Sequence, residues 1–412
     1  MNLSSFNVSS KNVGPVIKEV LKLADKSPNV IPSRKTIDNI IVEKIAVGQT
    51  QLGANLATQK NTCLYGDETR KFGKTYQTFL VSDENKKVYF LGLRDMIDKA
   101  ASTTLDVFIN ILDDISDVCE QYRQTNVTSP GHSIMCNICD FMSDRAQTNI
   151  AFTVLLEQYR LEIMPDFLQN WVELSDAEQS LAAKVNNFFC GLHLLVNFAE
   201  SLSPILLLFE KMQETKSSLQ DISDDDESTQ IQFFSSDSKS FSFLRFCGKC
   251  FGRGVDEKSG CYSAFRTYCE QKHEKVMFVD FRGNRFNIIF LMGQIAFYHH
   301  HRIKDFFENV HGTNNKLHKL ALQLVNKPYV IACYTFIEKD DVFEKLNKAE
   351  DGIDEKACAF AQMAFKGLHS VLEKAMKEQL PGGRYFEPTE ELREQSKSVI
   401  PHNKIPECVF VC

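Results

Sequence analysis

The sequence predicts an α+β fold in which a mixed sheet is interrupted by a large all-helical insertion. Three observations predict it. Short apolar runs cluster between residues 62 and 93, a strongly amphipathic stretch and a further apolar run follow them, and from Ile150 to Gln379 the pattern is helical almost throughout. The composition is that of a globular protein: 412 residues, 43% hydrophobic and 25% charged, enough apolar material for a core. At ~150 residues per domain, the length implies two or three domains.

A first helix is expected from Val13 to Asp25, where Val16, Ile17, Val20, Leu21 and Leu23 fall near helical spacing. After the turn around Pro28 and Pro32, Ser33 is placed to cap a second helix carrying Ile37, Ile40, Ile41 and Ile45. Cys63–Tyr65, Tyr76–Val81 and Lys87–Leu93 then read as three strands joined by polar turns, as in two hairpins. Thr103 to Tyr122 is an amphipathic helix with Leu105, Val107, Phe108, Ile111, Leu112, Ile115 and Val118 as its apolar stripe. Past Ser129-Pro130-Gly131, Ile134 to Phe141 is a fourth apolar run, read as a buried strand.

The order β-β-β-α-β, with the fourth strand crossing over to lie beside the first, is how an RNase H-like mixed sheet begins. The helices after it form the insertion. Within it, Glu214 to Ser240 contains Asp224-Asp225-Asp226-Glu227 and many serines, a segment of low hydrophobicity expected to be a mobile loop. The expected organisation is an N-terminal helical segment (1–58), a first part of the RNase H-like core (59–165), a helical insertion (166–385) with the loop at 214–240, and a return to the core (386–412).

Charge and motifs exclude several functions. With 47 Lys+Arg against 54 Asp+Glu, the net charge of −7 rules out gripping nucleic acid by overall charge, so any basic surface must be local. Thirteen cysteines show no repeating framework, and Met1 to Ser10 lacks an apolar signal core, so an intracellular protein with reduced thiols is expected. Leu192 to Phe209 is broken by Asn197, Glu200 and Pro204, short of the ~20 apolar residues a bilayer requires, so no membrane partner is expected. Dinucleotide-binding glycine motifs, phosphate-binding loops and serine-hydrolase elbows do not occur, nor does an N-terminal zinc-finger module.

Asp67 ends the first strand in Leu64-Tyr65-Gly66-Asp67-Glu68-Thr69, and Asp144 follows the fourth in Phe141-Met142-Ser143-Asp144-Arg145-Ala146. On adjacent central strands these carboxylates would approach one another and offer oxygen ligands to a hard cation such as Mg²⁺. An aspartate after a strand is also ordinary turn chemistry. Cys190 and His193 could join Cys247 and Cys250 in a four-ligand Zn²⁺ site, the alternative being core thiols and a hydrogen-bonded imidazole in an apolar helix. Cys136 and Cys139, on opposite faces of the expected strand, do not form a chelate. His299-His300-His301 splay by ~100° per residue on a helix and read as polar helix positions. Trp171 could stack on an extruded base or pack in a core. Arg282, Arg285, Arg302 and Lys304 could contact phosphate or form a solvated face.

The order of these landmarks resembles the hAT superfamily of cut-and-paste transposases and related transposon-derived proteins. Ser33-Arg34-Lys35-Thr36-Ile37 resembles the segment preceding the family's catalytic core. Gly66-Asp67-Glu68 and Ser143-Asp144-Arg145-Ala146-Gln147-Thr148-Asn149 resemble its first two acid motifs, and Cys190-Gly191-Leu192-His193 its Cys-x-x-His signature. Phe281 to Asn287 is similar to its Arg-Trp-Asn element, with Phe286 in place of the tryptophan. Pro401 to Phe410 puts Glu407 at the family's third acid, but Cys408 replaces the usual arginine.

The resemblance implies an RNase H-like fold, a nuclear location, and DNA cleavage and strand transfer with Mg²⁺ or Mn²⁺. Asp67 would bridge two ions ~3.5 to 4 Å apart, with Asp144 and Glu407 on either side. Only five residues follow Glu407, less than two helical turns, so catalysis is expected to be impaired. Two alternatives stand beside this reading. One is a non-catalytic interaction protein that binds a partner or oligomerises through its helical insertion. The other is an RNase H-like nuclease unrelated to transposition, with Glu68 or Asp140 as the last acid.

Overall fold

The computed structural model describes residues 8–123, 129–220, 238–279, 288–334 and 354–401. The chain divides into two compact units, Met1–Cys190 with Pro388–Cys412, and Gly191–Glu387.

The first unit opens with helices α1 (Ser10–Leu23) and α2 (Arg34–Leu56). Ser33 caps α2, its Oγ accepting the Thr36 N–H at 3.2 Å. Strands β1 (Thr62–Lys71) and β2 (Lys74–Ser82) form a hairpin whose turn, Phe72-Gly73, has positive φ at both residues. Asp83 sets the next turn by accepting the N–H groups of Asn85 and Lys87, each at 2.9 Å, and β3 (Val88–Met96) returns. Then come α3 (Ala101–Arg123), α4 (Pro130–Asn137), β4 (Ile138–Ser143), α5 (Gln147–Ile163), α6 (Asp176–Ala183) and β5 (Asn186–Phe189).

The five strands form one mixed sheet in the order β3-β2-β1-β4-β5. Strands β1, β2 and β3 are antiparallel neighbours, whereas β4 runs parallel to both β1 and β5. The α+β class and the placement of the fourth strand beside the first agree with the sequence. Leu64, Phe79, Val81 and Phe141 bury one face of the sheet against Phe108 and Ile111 of α3 and Phe152 and Leu156 of α5. Phe79 lies 4.7 Å from Phe108, and Phe141 lies 5.3 Å from Phe152, centroid to centroid.

Three sequence expectations need correction in this unit. The apolar run Ile134–Phe141 is not one strand, because Pro130 sits where a helix tolerates it and residues 130–137 coil before β4 begins. Gly131 makes that helix possible: a Cβ there would lie 2.3 Å from the Leu112 carbonyl oxygen of α3. Cys136 therefore lies on α4 and Cys139 on β4. Strand β5 was expected to be helical, yet its four residues pair with β4 from Asp140 to Ser143. The first unit consequently runs to Cys190, and the helical unit starts at Gly191 where residue 166 was expected. Residues 388–401, including α14 (Glu390–Gln395), belong with the sheet.

The second unit is helical throughout its described residues. It comprises α7 (Gly191–Gln220), α8 (Lys239–Phe251), α9 (Tyr262–Gln271), α10 (Ile288–Asp305), α11 (Lys316–Val325), α12 (Pro328–Ala332) and α13 (Asp354–Ala375). A π turn, Phe306–Val310, continues α10. Phe251, Phe265, Phe278, Phe306 and Phe307 form the centre of the core, with Phe251 and Phe265 4.3 Å apart. Buried Glu210 of α7 accepts the backbone N–H groups of Lys239 at 2.7 Å and Ser240 at 2.8 Å, holding the start of α8. Residues 214–220, expected in the loop, are instead the last turns of α7, and Glu214 accepts the Tyr329 hydroxyl at 2.6 Å. The rest of the expected acidic loop, 221–237, lies outside the described residues.

Candidate functional site

The parallel register of β1 and β4 sets the geometry of the two aspartates. Thr62 pairs with Ile138, Cys63 with Asp140, Leu64 with Phe141 and Tyr65 with Met142. Asp67 and Asp144 each come two residues after a member of the last pair. Strand β4 ends at Ser143, while β1 continues to Lys71. Asp67 therefore lies where the β4-side flank of β1 opens, and Asp144 lies at the head of the strand that stops there. Strand alternation groups Cys63, Tyr65 and Asp67 on one face, and on β4 it groups Asp140 and Met142 with the following Asp144. Leu64 and Phe141 point into the α3–α5 core, so Asp67 belongs to the opposite face, and Asp144 follows the strand whose Met142 lies there.

Both carboxylates are half-buried and locally anchored. Asp67 Oδ1 accepts the Glu68 N–H at 2.9 Å. Asp144 Oδ1 accepts the Ala146 N–H at 2.8 Å and the Asn149 side-chain amide at 2.7 Å. Arg145, at φ +54°, turns the chain towards α5, and its N–H donates to Ser143 Oγ at 3.0 Å. Asn149, at the end of the motif that begins at Ser143, thus orients Asp144 through one oxygen and leaves Oδ2 for a ligand.

Tyr65, two residues before Asp67, ties the last described segment onto the same face. The Ile400 N–H donates to the Tyr65 hydroxyl at 2.6 Å. Ser82 Oγ donates to the Ser398 carbonyl at 2.6 Å and lies 3.1 Å from Tyr65 Oη. Burial pushes the Tyr65 phenol well above its ordinary pKa, so it stays protonated. Glu407, the expected third acid, lies outside the described residues, seven positions beyond Ile400.

Neither substitute acid shares this setting. Glu68 falls on the other face of β1 and forms an ion pair with Lys99. Asp140 is fully buried and accepts the Asn186 side-chain amide at 3.0 Å, a bond between β4 and β5.

The cysteine and histidine candidates are distributed differently. Cys190 closes the sheet unit, its N–H donating to the Ser143 carbonyl at 2.8 Å, and precedes α7 rather than lying within it. His193 stands in the first turn of α7, and Cys247 and Cys250 are fully buried on α8. Among the described residues, the Cys and His ligand atoms that converge, all within 4.8 Å of one another, belong to Cys261, His311 and His318. Sequence reading missed this group because its members come from segments some fifty residues apart and only folding brings them together.

Other expectations resolve into packing. His299 and His300 of α10 are buried and only His301 is exposed, so two of the three are core residues. His299 packs against Phe265 and Phe278, and burial pushes its pKa down to about 4. Trp171 is buried beside Met164 and Ala183. Arg302 makes a bidentate ion pair with Glu274, at 2.7 and 3.1 Å, on a side chain about a third exposed. Lys304 is exposed, and Phe281–Asn287, with Arg282 and Arg285, lies outside the described residues.

Residues Gly191–Lys216 of α7 are long and apolar enough to cross a membrane, with mean hydropathy 1.6, and Pro204 does not interrupt the helix. Leu202, Leu206 and Phe209 of this helix nevertheless lie in the helical core.

A scan against protein-family models gives no matching family, and a search of curated proteins gives no match.

Proposed function

We propose that this protein derives from a DNA transposase and has an RNase H-like core, with Asp67 and Asp144 as metal-binding carboxylates of a phosphodiester-cleaving site. The observation that carries the reading is their shared position: both follow the parallel pair of Tyr65 and Met142, which lies on the face away from the α3–α5 core. The strand order, with an antiparallel three-strand meander beside two parallel strands, is that expected of such a core. Residues 388–401 return to the Tyr65 face, the Ile400 N–H donating to the Tyr65 hydroxyl.

The donor set fits Mg²⁺ or Mn²⁺. It consists of hard carboxylate oxygens, half-buried, on adjacent strands where like charges would otherwise repel. Asp67 and Asp144 would hold the ions, and Asn149 fixes the Asp144 carboxylate so that it presents one oxygen. Bound there, two ions would activate a water or a 3′-hydroxyl and stabilise the leaving oxygen at a DNA phosphodiester. The substrate is DNA, and the working compartment is the nucleus.

A nicking assay on supercoiled DNA with Mg²⁺ or Mn²⁺ tests the proposal. Because catalysis is expected to be impaired, weak metal-dependent nicking that Asp67→Asn and Asp144→Asn each abolish is expected. No nicking with either metal, or nicking that survives both substitutions, would overturn it.

A second reading, as a non-catalytic protein that oligomerises through its helical unit, is favoured by one observation: Leu208 and Met212 on one face of α7, and Phe365 on α13, are exposed apolar side chains. Light scattering showing a monomer at every concentration would eliminate it.

A further inference from the structure

We infer that the helical unit holds a structural Zn²⁺ ion between Cys250, Cys261, His311 and His318. The four residues come from two segments that meet at the end of α8 and the start of α11. Cys250 occupies the last turn of α8, after which the chain loops back so that the Cys261 N–H donates to the Cys250 carbonyl at 2.8 Å. Gly260 permits this approach: a Cβ there would lie 2.8 Å from the Lys249 carbonyl oxygen and 3.2 Å from that of Cys250. Cys261 is 2% exposed and Cys250 is fully buried.

The histidines arrive from the other segment. The π turn after α10 places His311, whose N–H donates to the Phe306 carbonyl at 2.8 Å and whose ring stacks on Phe306 at 4.9 Å with an interplanar angle of 8°. His318 lies in the first turn of α11, where Asn315 Oδ1 accepts its backbone N–H at 2.9 Å. The Asn315 amide also donates to the Ser259 carbonyl at 3.0 Å, which links the cap of α11 to the loop carrying Cys261. The His318 Nε2 lies 3.3 Å from Asn315 Nδ2. The His318 Nδ1 is buried and has no hydrogen-bond partner.

The chemistry of the donors selects the ion. Two sulfurs and two imidazole nitrogens with no carboxylate suit Zn²⁺ and do not suit Mg²⁺ or Ca²⁺. The ligand atoms of Cys261, His311 and His318 lie within 4.8 Å of one another, and the Cys250 thiol, outside that group, would have to turn in from the end of α8 to complete the set. Tetrahedral Zn²⁺ with bonds of ~2.0 to 2.3 Å needs them ~3.3 to 3.8 Å apart, a closure that side-chain rotation supplies. Binding would release one proton from each thiol to solvent. Two thiolates then neutralise the dication, so the complete site carries no net charge and suits its buried position. Each bond would join the 250–261 segment to the 311–318 segment, acting as a cross-link within the unit.

Metal analysis of the purified full chain, followed by Co²⁺ substitution, tests the site. One Zn²⁺ per chain is expected, replaceable by Co²⁺ with the visible bands of a tetrahedral thiolate site. Cys261→Ser and His318→Gln should each weaken Co²⁺ binding at least a hundredfold, while Cys247→Ser and Cys190→Ser leave it unchanged. His318→Cys should retain the metal with a shifted Co²⁺ spectrum, separating lost ligation from lost folding. A folded wild-type chain with no zinc and no Co²⁺ spectrum, a Cys250–Cys261 disulfide in the protein isolated under reducing conditions, or full binding by Cys261→Ser would overturn the inference.

Discussion

Asp67 and Asp144 each lie two residues beyond the paired Tyr65 and Met142 of neighbouring parallel strands, Asp67 within β1 and Asp144 one residue past the end of β4. Parallel strands advance side by side in the same direction, so equal offsets bring the two residues to the same end of the sheet. Two carboxylates at that end offer hard oxygen ligands to a shared cation. The consequences for the rest of the unit concern what keeps that sheet edge in place.

Tyr65 anchors the returning C-terminal segment through a single oxygen. Tyr65→Phe removes the acceptor of the Ile400 N–H while preserving the ring, so it should cost about 1 to 2 kcal/mol in urea denaturation. It should also make residues beyond Pro388 more susceptible to limited proteolysis. Unchanged stability together with an unchanged digestion pattern would show that this contact does not hold the segment.

Arg160 of α5 is 1% exposed and supplies the join between α4, β4 and α6. Its guanidinium donates to the carbonyls of Met135 at 2.9 Å and Ala182 at 3.2 Å, and to that of Ile138. Arg160→Met fills much of the volume but leaves three carbonyls without this donor. At ~1 to 3 kcal/mol for each buried unsatisfied group, the loss should exceed about 3 kcal/mol. A measured change under about 1 kcal/mol would mean that these carbonyls find other partners.

His299 makes the helical unit sensitive to acid. Burial lowers its folded pKa to about 4 from the ordinary 6.5, so the unfolded chain takes up the proton first as pH falls. Its contribution is fully present above pH ~6.5, declines between ~6.5 and ~4, and is constant below. The ceiling is roughly 3 kcal/mol. Denaturation at pH 7 and pH 4 should show the wild type losing more stability than His299→Phe, whose ring suits a pocket bounded by Phe265 and Phe278. Equal losses would place the acid sensitivity elsewhere.

What the sequence reveals is what local chemistry dictates. Ser33 announces the start of α2 because its hydroxyl meets an N–H three residues on, and the first three strands alternate with polar turns that specify hairpins. Pro130 misleads because a residue that breaks a helix interior is accepted in its first turn. Strand β5 carries no readable pattern: four residues cannot establish a period, and their partners on β4 lie more than forty positions away. The two aspartates are visible as residues after apolar runs, whereas Asn149 as the group that orients Asp144 is seen only in the folded chain. Cys261, His311 and His318 likewise become a group only once the loop at Gly260 and the π turn at Phe306 bring them together.

The central claim is tested most directly by Mn²⁺ binding to the full chain, followed by electron paramagnetic resonance. The account predicts saturable binding that Asp67→Asn and Asp144→Asn each weaken at least tenfold, while Glu68→Gln, on the other face of β1, leaves it intact. Equal Mn²⁺ affinity in the wild type and both aspartate variants would contradict it.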